Sequence, residues 1–369
     1  YLRGEVTIID PSENHYYQPF FTLVGGGDVT LEECIRKQET LIPEGAEWLQ
    51  EAVTEFFPEK NQVKTNKGTT LTYEYLLVAA GIQLDWDKVK GLKETIGKNG
   101  VCSIFSQDYV ESTWEAIRTL KGGKAIFTQP STPVKCAGAP QKIMYLADEY
   151  FRRNGIRHKT NIEFISGMDD LFPVEHYYPV LKQLVKDKNI DETYDMDLVE
   201  IDGANKKATF KHVNKDETIT RDFDMIHITP PMSPPKFIAE SPIADEAGWV
   251  DLDMYTLRHN KYDNIFGAGD CTSLPTSRTG AAIRKQAPVA VDNLIAKMNG
   301  KEMTAKYEGY SSCPVITGYD TVMLAEFNYG YVPNESFPFD QRKRRKSMFI
   351  MKKHLLPTMY WNGMIKGTM

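Results

Sequence analysis

The chain has 369 residues, 41% apolar and 25% charged, enough for about two or three ordinary domains with ample core. Its 26 glycines and 20 prolines exclude collagen-like and disordered classes. With 44 basic against 50 acidic residues the net charge is −6, which excludes a chain-wide electrostatic footprint for nucleic acid. The best apolar run, 75–82, has the length of a buried strand and falls far short of the ~20 residues of a membrane span. The chain opens at Tyr1, already inside a strand-like run, so localisation is not read from a leader. Cys34, Cys102, Cys136, Cys271 and Cys313 are too few for a disulfide scaffold and show no CxxC or Cys/His metal spacing. They suit a reducing compartment with one or two special thiols, and no metal site is expected.

In chain order, residues 5–10 form a β-branched strand ending in Asp10. In a dinucleotide-binding βαβ unit such an acid binds the adenosine ribose about 20 residues after a glycine-rich phosphate turn. On that reading the first strand and its Gly-x-Gly-x-x-Gly loop are absent from this chain; on the alternative, Asp10 is an acidic turn residue before Pro11. Two later apolar strands, 75–81 and 224–231, echo one another, each closed by small residues and each preceded by a strand ribbon (51–54, 63–65, 69–73; 197–201, 208–212, 217–220). The repetition predicts two nucleotide-type domains in tandem. Between them, 124–128 reads as a strand, 139–154 as an amphipathic helix stopped by Gly155, and 161–165 as the next strand.

The intervening turn is where a nicotinamide site needs glycines, and it carries Pro130, Pro133 and Pro140 instead, with Cys136 at the helix mouth. The prolines remove amides that would hold a pyrophosphate. The segment 263–270 then runs a strand into Gly267-Ala268-Gly269-Asp270, followed by a helix near 279–297 that Pro288 is expected to kink. Glycines there admit a flavin's ribityl chain, and the carboxylate accepts its hydroxyls; the plainer reading is a turn with a capping Asp. After Asp340 the chain has no acidic residue, while Arg342, Lys343, Arg344, Arg345, Lys346, Lys352 and Lys353 are basic and aromatics interleave with methionines. That pattern fits an interfacial segment on an anionic membrane, a solvated charged loop, or a nucleic-acid patch, the last disfavoured.

The tandem layout, Gly267-Ala268-Gly269-Asp270-Cys271, and the turn Val134-Lys135-Cys136-Ala137-Gly138-Ala139-Pro140-Gln141-Lys142 together resemble the sulfide:quinone oxidoreductases, most closely the mitochondrial animal type. Matching segments are 10–19, 230–235, 312–319 and 337–340, so the resemblance covers essentially the whole chain. It implies an α/β fold of two Rossmann-like FAD/NAD(P)-binding domains plus a membrane-facing C-terminal segment. The expected division is 1–100 and 231–305 for the FAD domain, 101–230 for the second Rossmann-like domain, and 306–369 for the quinone and membrane segment. It implies FAD as cofactor, and hydrogen sulfide, ubiquinone and glutathione or another small thiol as reactants. It also implies peripheral residence on the mitochondrial inner membrane.

By the same resemblance Cys136 and Cys313 are the redox pair. Sulfide attacks the bridge between them, leaving a persulfide on Cys313, and the released Cys136 thiolate adds to the flavin ring as electrons move onto it. A cysteine at a helix N-terminus beside Lys135 should carry a depressed pKa; without the family a buried inert thiol is the plainer reading. Asp10, Gln18, Ala80, Gly81, Gly269, Asp270, Lys285 and Gln286 are implied for the cofactor. Phe337, Phe339, Tyr360 and Trp361 are implied for the quinone. Lys142 and Lys352 are implied as an electropositive entrance for the thiol acceptor, or else are surface lysines. Cys34, Cys102 and Cys271 read as structural. The competing enzyme is a type II NADH:quinone oxidoreductase-like flavoprotein, which the proline-rich turn disfavours, and the competing class is a cofactor-less, non-catalytic remnant of the fold.

Overall fold

The computed structural model describes residues 6–368. Its central sheet is parallel and five-stranded, in the order Val101–Cys102, Met225–His227, Gly123–Gln129, Thr160–Ser166 and Asp191–Thr193. Ala125, Ile126 and Phe127 are consecutive and all buried, because a parallel sheet covered on both faces needs apolar runs rather than alternation. Gly123–Gln129 pairs in register with Thr160–Ser166, and the helix Ala139–Arg153 makes the crossover between them. Pro140 sits in the first helical turn, where its missing N–H is no loss. Arg152 and Arg153 close the last turn at the negative end of the helix dipole.

Both ribbons expected from the sequence are present. Val53–Phe57, Gln62–Thr65 and Thr70–Thr72 form one, and Met196–Asp202, Lys207–His212 and Thr218–Asp222 the other. Each leads into a short parallel strand, the first being Leu76–Val78, which pairs with Ile265–Gly267. That strand is shorter than the expected 75–81 because the chain turns away after Val78, with Gly81 at φ +74. The strand expected over 5–10 is Val6–Ile9, parallel to Ala46–Leu49; Glu5 lies outside the described residues. The helix expected near 279–297 runs from Gly280 to Met298 as a single element with Pro288 inside it.

Among the described residues three apolar cores hold these parts. One covers a face of the central sheet and joins residues 17–34 and the antiparallel pair Ser311–Gly318 and Thr321–Phe327 to it. A second covers the opposite face through Ile126, Ile165 and Ile226. The third lies under Ile265–Gly267, with Cys271, Ala290 and Tyr307. The chain ends in one winding: an α-helical turn Lys346–Ile350, a π-helical turn Met351–Leu355, an α-turn Leu356–Met359 and a π-turn Tyr360–Met364. Among the described residues no helix is long and apolar enough to cross a membrane.

Candidate active site

Cys136 lies in the turn between the strand Gly123–Gln129 and the helix Ala139–Arg153. Its φ is +55, a left-handed conformation that costs a β-carbon residue roughly 1–2 kcal/mol, and neighbouring hydrogen bonds fix it there. Its N–H donates to the Arg278 carbonyl at 2.7 Å, and its carbonyl accepts from the Ala139 N–H at 2.7 Å. Cys313 projects from the strand Ser311–Gly318, opposite Ala325 on Thr321–Phe327. The two cysteines are 177 positions apart in sequence (313 − 136), and the fold brings them, as free thiols, near enough for each to shift the other's acidity. Gly138 permits the approach: a Cβ built there would stand 2.5 Å from Cys313 Sγ.

The pair is electrostatically asymmetric. The hydrogen bond from the Cys313 thiol, with support from the Lys142 and Lys352 charges, outweighs burial and holds Cys136 well below the usual thiol range. The same hydrogen bond, together with burial, pushes Cys313 well above it. Cys136 is therefore the more acidic of the two sulfurs. Lys142 Nζ stands 3.1 Å from Cys136 Sγ. Burial works against the Lys142 charge, but the two sulfurs outweigh it and keep the ammonium above its ordinary pKa.

The charge beside Cys136 is thus Lys142, six residues on, and not the adjacent Lys135. Lys135 Nζ donates to Gln18 Oε1 at 2.9 Å, and burial lowers that ammonium to about 8, with Asp270 opposing. Neither lysine expected at an entrance is a surface lysine: Lys142 is 3% exposed and Lys352 4%. The π-helical turn Met351–Leu355 carries Lys352 inward, where its Nζ donates to the Pro19 carbonyl at 3.1 Å. Burial, then repulsion from Lys142, lowers the Lys352 ammonium to about 8. Its neighbour Lys353 pairs with Asp28 at 2.8 Å.

Beside the cysteines, Leu76–Val78 and Ile265–Gly267 end together and run into Ala79-Ala80-Gly81 and Ala268-Gly269-Asp270. Ala80 is exposed, and a Cβ built on Gly81 would meet nothing within 4 Å. Gly269, at φ +82, donates its N–H to Gln286 Oε1 at 2.8 Å. The Asp270 carboxylate makes no side-chain hydrogen bond to other described residues; burial raises its pKa while Arg278 and Lys135 oppose the rise. Thr279 caps the helix Gly280–Met298 by accepting from the Ala282 N–H. Small residues at the ends of parallel strands, a carboxylate acceptor and a helix N-terminus are the donor and acceptor set that a dinucleotide takes up, so these residues fit FAD. Asp10 ends the strand Val6–Ile9, its Oδ1 accepting from the Ser12 N–H at 2.8 Å. Lys285 is exposed, its ammonium 5.8 Å from the Tyr310 ring.

The four aromatics form two pairs. Phe337 and Phe339 stack at 5.1 Å, with the Arg345 guanidinium 4.4 Å from the Phe339 ring. Tyr360 and Trp361 pack on Tyr17 and His15, Tyr360 lying 4.8 Å from Tyr17 and its hydroxyl bonded to the His15 ring. Cys34, Cys102 and Cys271 are fully buried, their thiols pushed upward by burial. Arg278 and Gly138 were not singled out from the sequence as functional; the only signal was the unusual run of small residues 137–139 after Cys136.

No family model matches the chain. The chain is 48% identical over 367 residues to the mitochondrial sulfide:quinone oxidoreductase of Dictyostelium discoideum, covering 99% of this chain and 81% of that protein. It is 45% identical over 363 residues to the mitochondrial sulfide:quinone oxidoreductase of Mus musculus, covering 98% and 81%. Its fold matches the X-ray structure of the sulfide:quinone oxidoreductase from the bacterium Aquifex aeolicus with a TM-score of 0.83, over 99% of this chain and 86% of that one, at 18% identity. With identity of this order along nearly its whole length, the chain belongs to the sulfide:quinone oxidoreductase family.

Proposed function

We propose that the chain oxidises hydrogen sulfide at the Cys136–Cys313 pair, sends two electrons by way of FAD to a quinone, and hands the sulfane sulfur to a small thiol such as glutathione. The observation that carries this reading is the contact between two distant free cysteines of opposed acidity, with buried Lys142 against one of them. When bound, FAD supplies a two-electron carrier between the cysteine pair and the quinone.

The asymmetry of the pair decides the direction of attack. In a disulfide exchange the sulfur of lower pKa leaves faster. Hydrosulfide therefore attacks Cys313 Sγ of the oxidised pair, an S–S bond forms there, and the Cys136–Cys313 bond breaks. The sulfide sulfur is oxidised by two electrons, which pass to the Cys136 thiolate, and Lys142 holds the charge that appears. The thiolate of the acceptor then attacks the outer sulfur of the Cys313 persulfide, and Cys313 leaves as thiolate. Re-forming the cysteine bridge releases the two electrons, so that sulfide, thiol and quinone yield a persulfidated thiol and a quinol.

Lys142 and Lys352 place two buried cations beside the sulfurs, which favours anionic hydrosulfide and an anionic thiol acceptor. The quinone is assigned to the aromatics Phe337, Phe339, Tyr360 and Trp361. The four-part division at residues 100, 230 and 305 belongs to the same proposal. The named relatives are mitochondrial, the inner membrane is part of this proposal, and the exposed Arg342, Lys343, Arg344 and Lys346 beside exposed Ile350 and Leu355 suit an anionic lipid surface. The test is anaerobic. Sulfide added to the flavoprotein should bleach the flavin band, and a short-chain ubiquinone should restore it. A flavin that ignores sulfide and bleaches with NADH refutes the reading.

A further inference from the structure

The segment joining the Asp270 turn to the helix Gly280–Met298 touches both cysteine-bearing elements. On one side the Arg278 carbonyl accepts the Cys136 N–H at 2.7 Å, and Lys135 and Arg278 run side by side as a parallel bridge. The Arg278 side chain turns back on the Asp270 loop. Its Nε donates to the Asp270 carbonyl at 3.0 Å, its Nη2 to the Thr272 carbonyl at 3.3 Å, and its guanidinium lies 3.9 Å from the Trp249 ring.

On the other side the same segment holds the strand of Cys313. Ser311, fully buried and two residues before Cys313, lies 3.2 Å from the Ser277 carbonyl and 2.8 Å from the Thr279 hydroxyl. A carbonyl only accepts, so Ser311 donates to Ser277, and Thr279 donates to Ser311. Thr279 in turn accepts from the Ala282 N–H at 3.1 Å. The direction of every proton in this chain is fixed, and both the buried Ser311 hydroxyl and the half-buried Thr279 hydroxyl are satisfied. Thr276 adds a second tie through its hydroxyl to the Gly309 carbonyl at 2.8 Å. Ser311 and Cys313 share one face of their strand, because side chains alternate, so the position of Ser311 sets that of Cys313.

We propose that residues 277–279 form the brace that sets the two cysteines at bonding distance, with the Ser311 and Thr279 hydroxyls as positioning residues for the redox pair. The proposal rests on the reading of Cys136 and Cys313 as that pair. Neither hydroxyl touches sulfur; both act by fixing the strand of Cys313 against the segment that holds Cys136. Closing a disulfide from two pre-placed thiols is favoured over closing one from thiols that must first find each other. Loss of the brace therefore makes the bridge easier to reduce without removing either cysteine.

The experiment equilibrates the full-length flavoprotein, anaerobically, with glutathione redox buffers, and reads the bridged fraction by alkylation and mass spectrometry. The reaction is balanced: one glutathione disulfide yields two glutathiones as two protein thiols become one bridge. Ser311→Ala should lower the equilibrium constant for the bridge about tenfold, a shift of ~30 mV to more positive potential for a two-electron couple. Thr279→Val should move it in the same direction, and Thr279→Ser, which keeps the hydroxyl, should not. If Ser311→Ala does not fold, the Thr279 pair decides. Constants for Ser311→Ala and Thr279→Val within twofold of the unsubstituted protein overturn the brace. Absence of any Cys136–Cys313 bridge in the unsubstituted protein overturns the redox pair itself and the brace with it.

Discussion

Gly138→Ala isolates the contact on which the cysteine pair depends. Gly138 has φ −82 and ψ −4, a conformation any L-residue adopts, so the backbone raises no objection. Removing a glycine at such a position stabilises a chain by ~0.4–1 kcal/mol through the unfolded state. The new methyl, however, falls 2.5 Å from Cys313 Sγ, more than 1 Å inside the ~3.5–4 Å of an ordinary contact. Cys313 cannot swing freely, because its strand is paired to Thr321–Phe327 and its thiol is buried. Overpacking of this kind costs ~1–3 kcal/mol, so net stability should change by less than about 3 kcal/mol. A displacement near 1 Å between reacting atoms can cost ~100-fold in rate, equivalent to ~2.7 kcal/mol of barrier. The assay is stopped-flow bleaching of the flavin by sulfide, with thermal unfolding measured alongside. The expected result is a rate lowered about 100-fold in a folded, yellow protein. Bleaching within threefold of the unsubstituted rate would refute the close approach of the two sulfurs.

Cys136→Ser or Cys313→Ser should each lower sulfide-dependent flavin reduction by orders of magnitude, measured in the same assay; near-normal reduction by either removes that cysteine from the chemistry. In the reduced protein at neutral pH, iodoacetamide should alkylate Cys136 well before Cys313, as read by peptide mass spectrometry, because Cys136 is held below and Cys313 above the usual thiol range. Lys142→Met should move the pH dependence of Cys136 alkylation upward. The thiolate persists until pH falls through the depressed folded value, and loss of a cation 3.1 Å away raises that value; an unmoved profile denies Lys142 its role. Lys352 has its folded pKa lowered to about 8 from 10.5, so the unfolded chain binds the extra proton between those values and stability should rise with pH across that window. Lys352→Met should flatten this rise in thermal unfolding curves taken from pH 8 to 10.5, and an identical slope in the variant would contradict the burial of that ammonium.

The parts of the fold visible in the sequence are those written in short-range pattern. The apolar run at 124–128, the 3.6-residue periodicity of 139–154 and the two ribbon-then-strand units all appear with ends within a few residues of expectation, because burial on both faces of a parallel sheet leaves no choice of residue type. The cysteine pair was legible through resemblance, not through spacing, since nothing local links positions 136 and 313. Charge was the least legible property. Lys135 adjoins Cys136 in sequence, but the left-handed backbone at Cys136 turns Lys135 toward Gln18 and leaves the sulfur to Lys142 on the first turns of the helix. A basic run such as 342–353 reads as solvated, and most of it is; Arg342, Lys343, Arg344 and Lys346 are exposed. Lys352 departs from that pattern because a π-helical turn rotates successive side chains differently from an α-turn.

That single inward lysine changes what the C-terminal segment is. Contacts to the stretch 15–36 dock it, among them the Lys352 ammonium on the Pro19 carbonyl, Lys353 on Asp28, the Tyr360 hydroxyl on His15, and the Trp361 ring beneath Arg36. The same stretch supplies Gln18, which holds Lys135. Docking of the tail and the charge around the sulfurs are therefore one arrangement. If the tail lifts, Lys352 leaves with it, and the Cys136 thiolate keeps Lys142 but loses the second cation that depresses its pKa. Exposed Lys346, Ile350 and Leu355 lie on the same winding as the buried Lys352. Lifting this winding would therefore take a cation from beside Cys136 as well as break the contacts to the stretch 15–36.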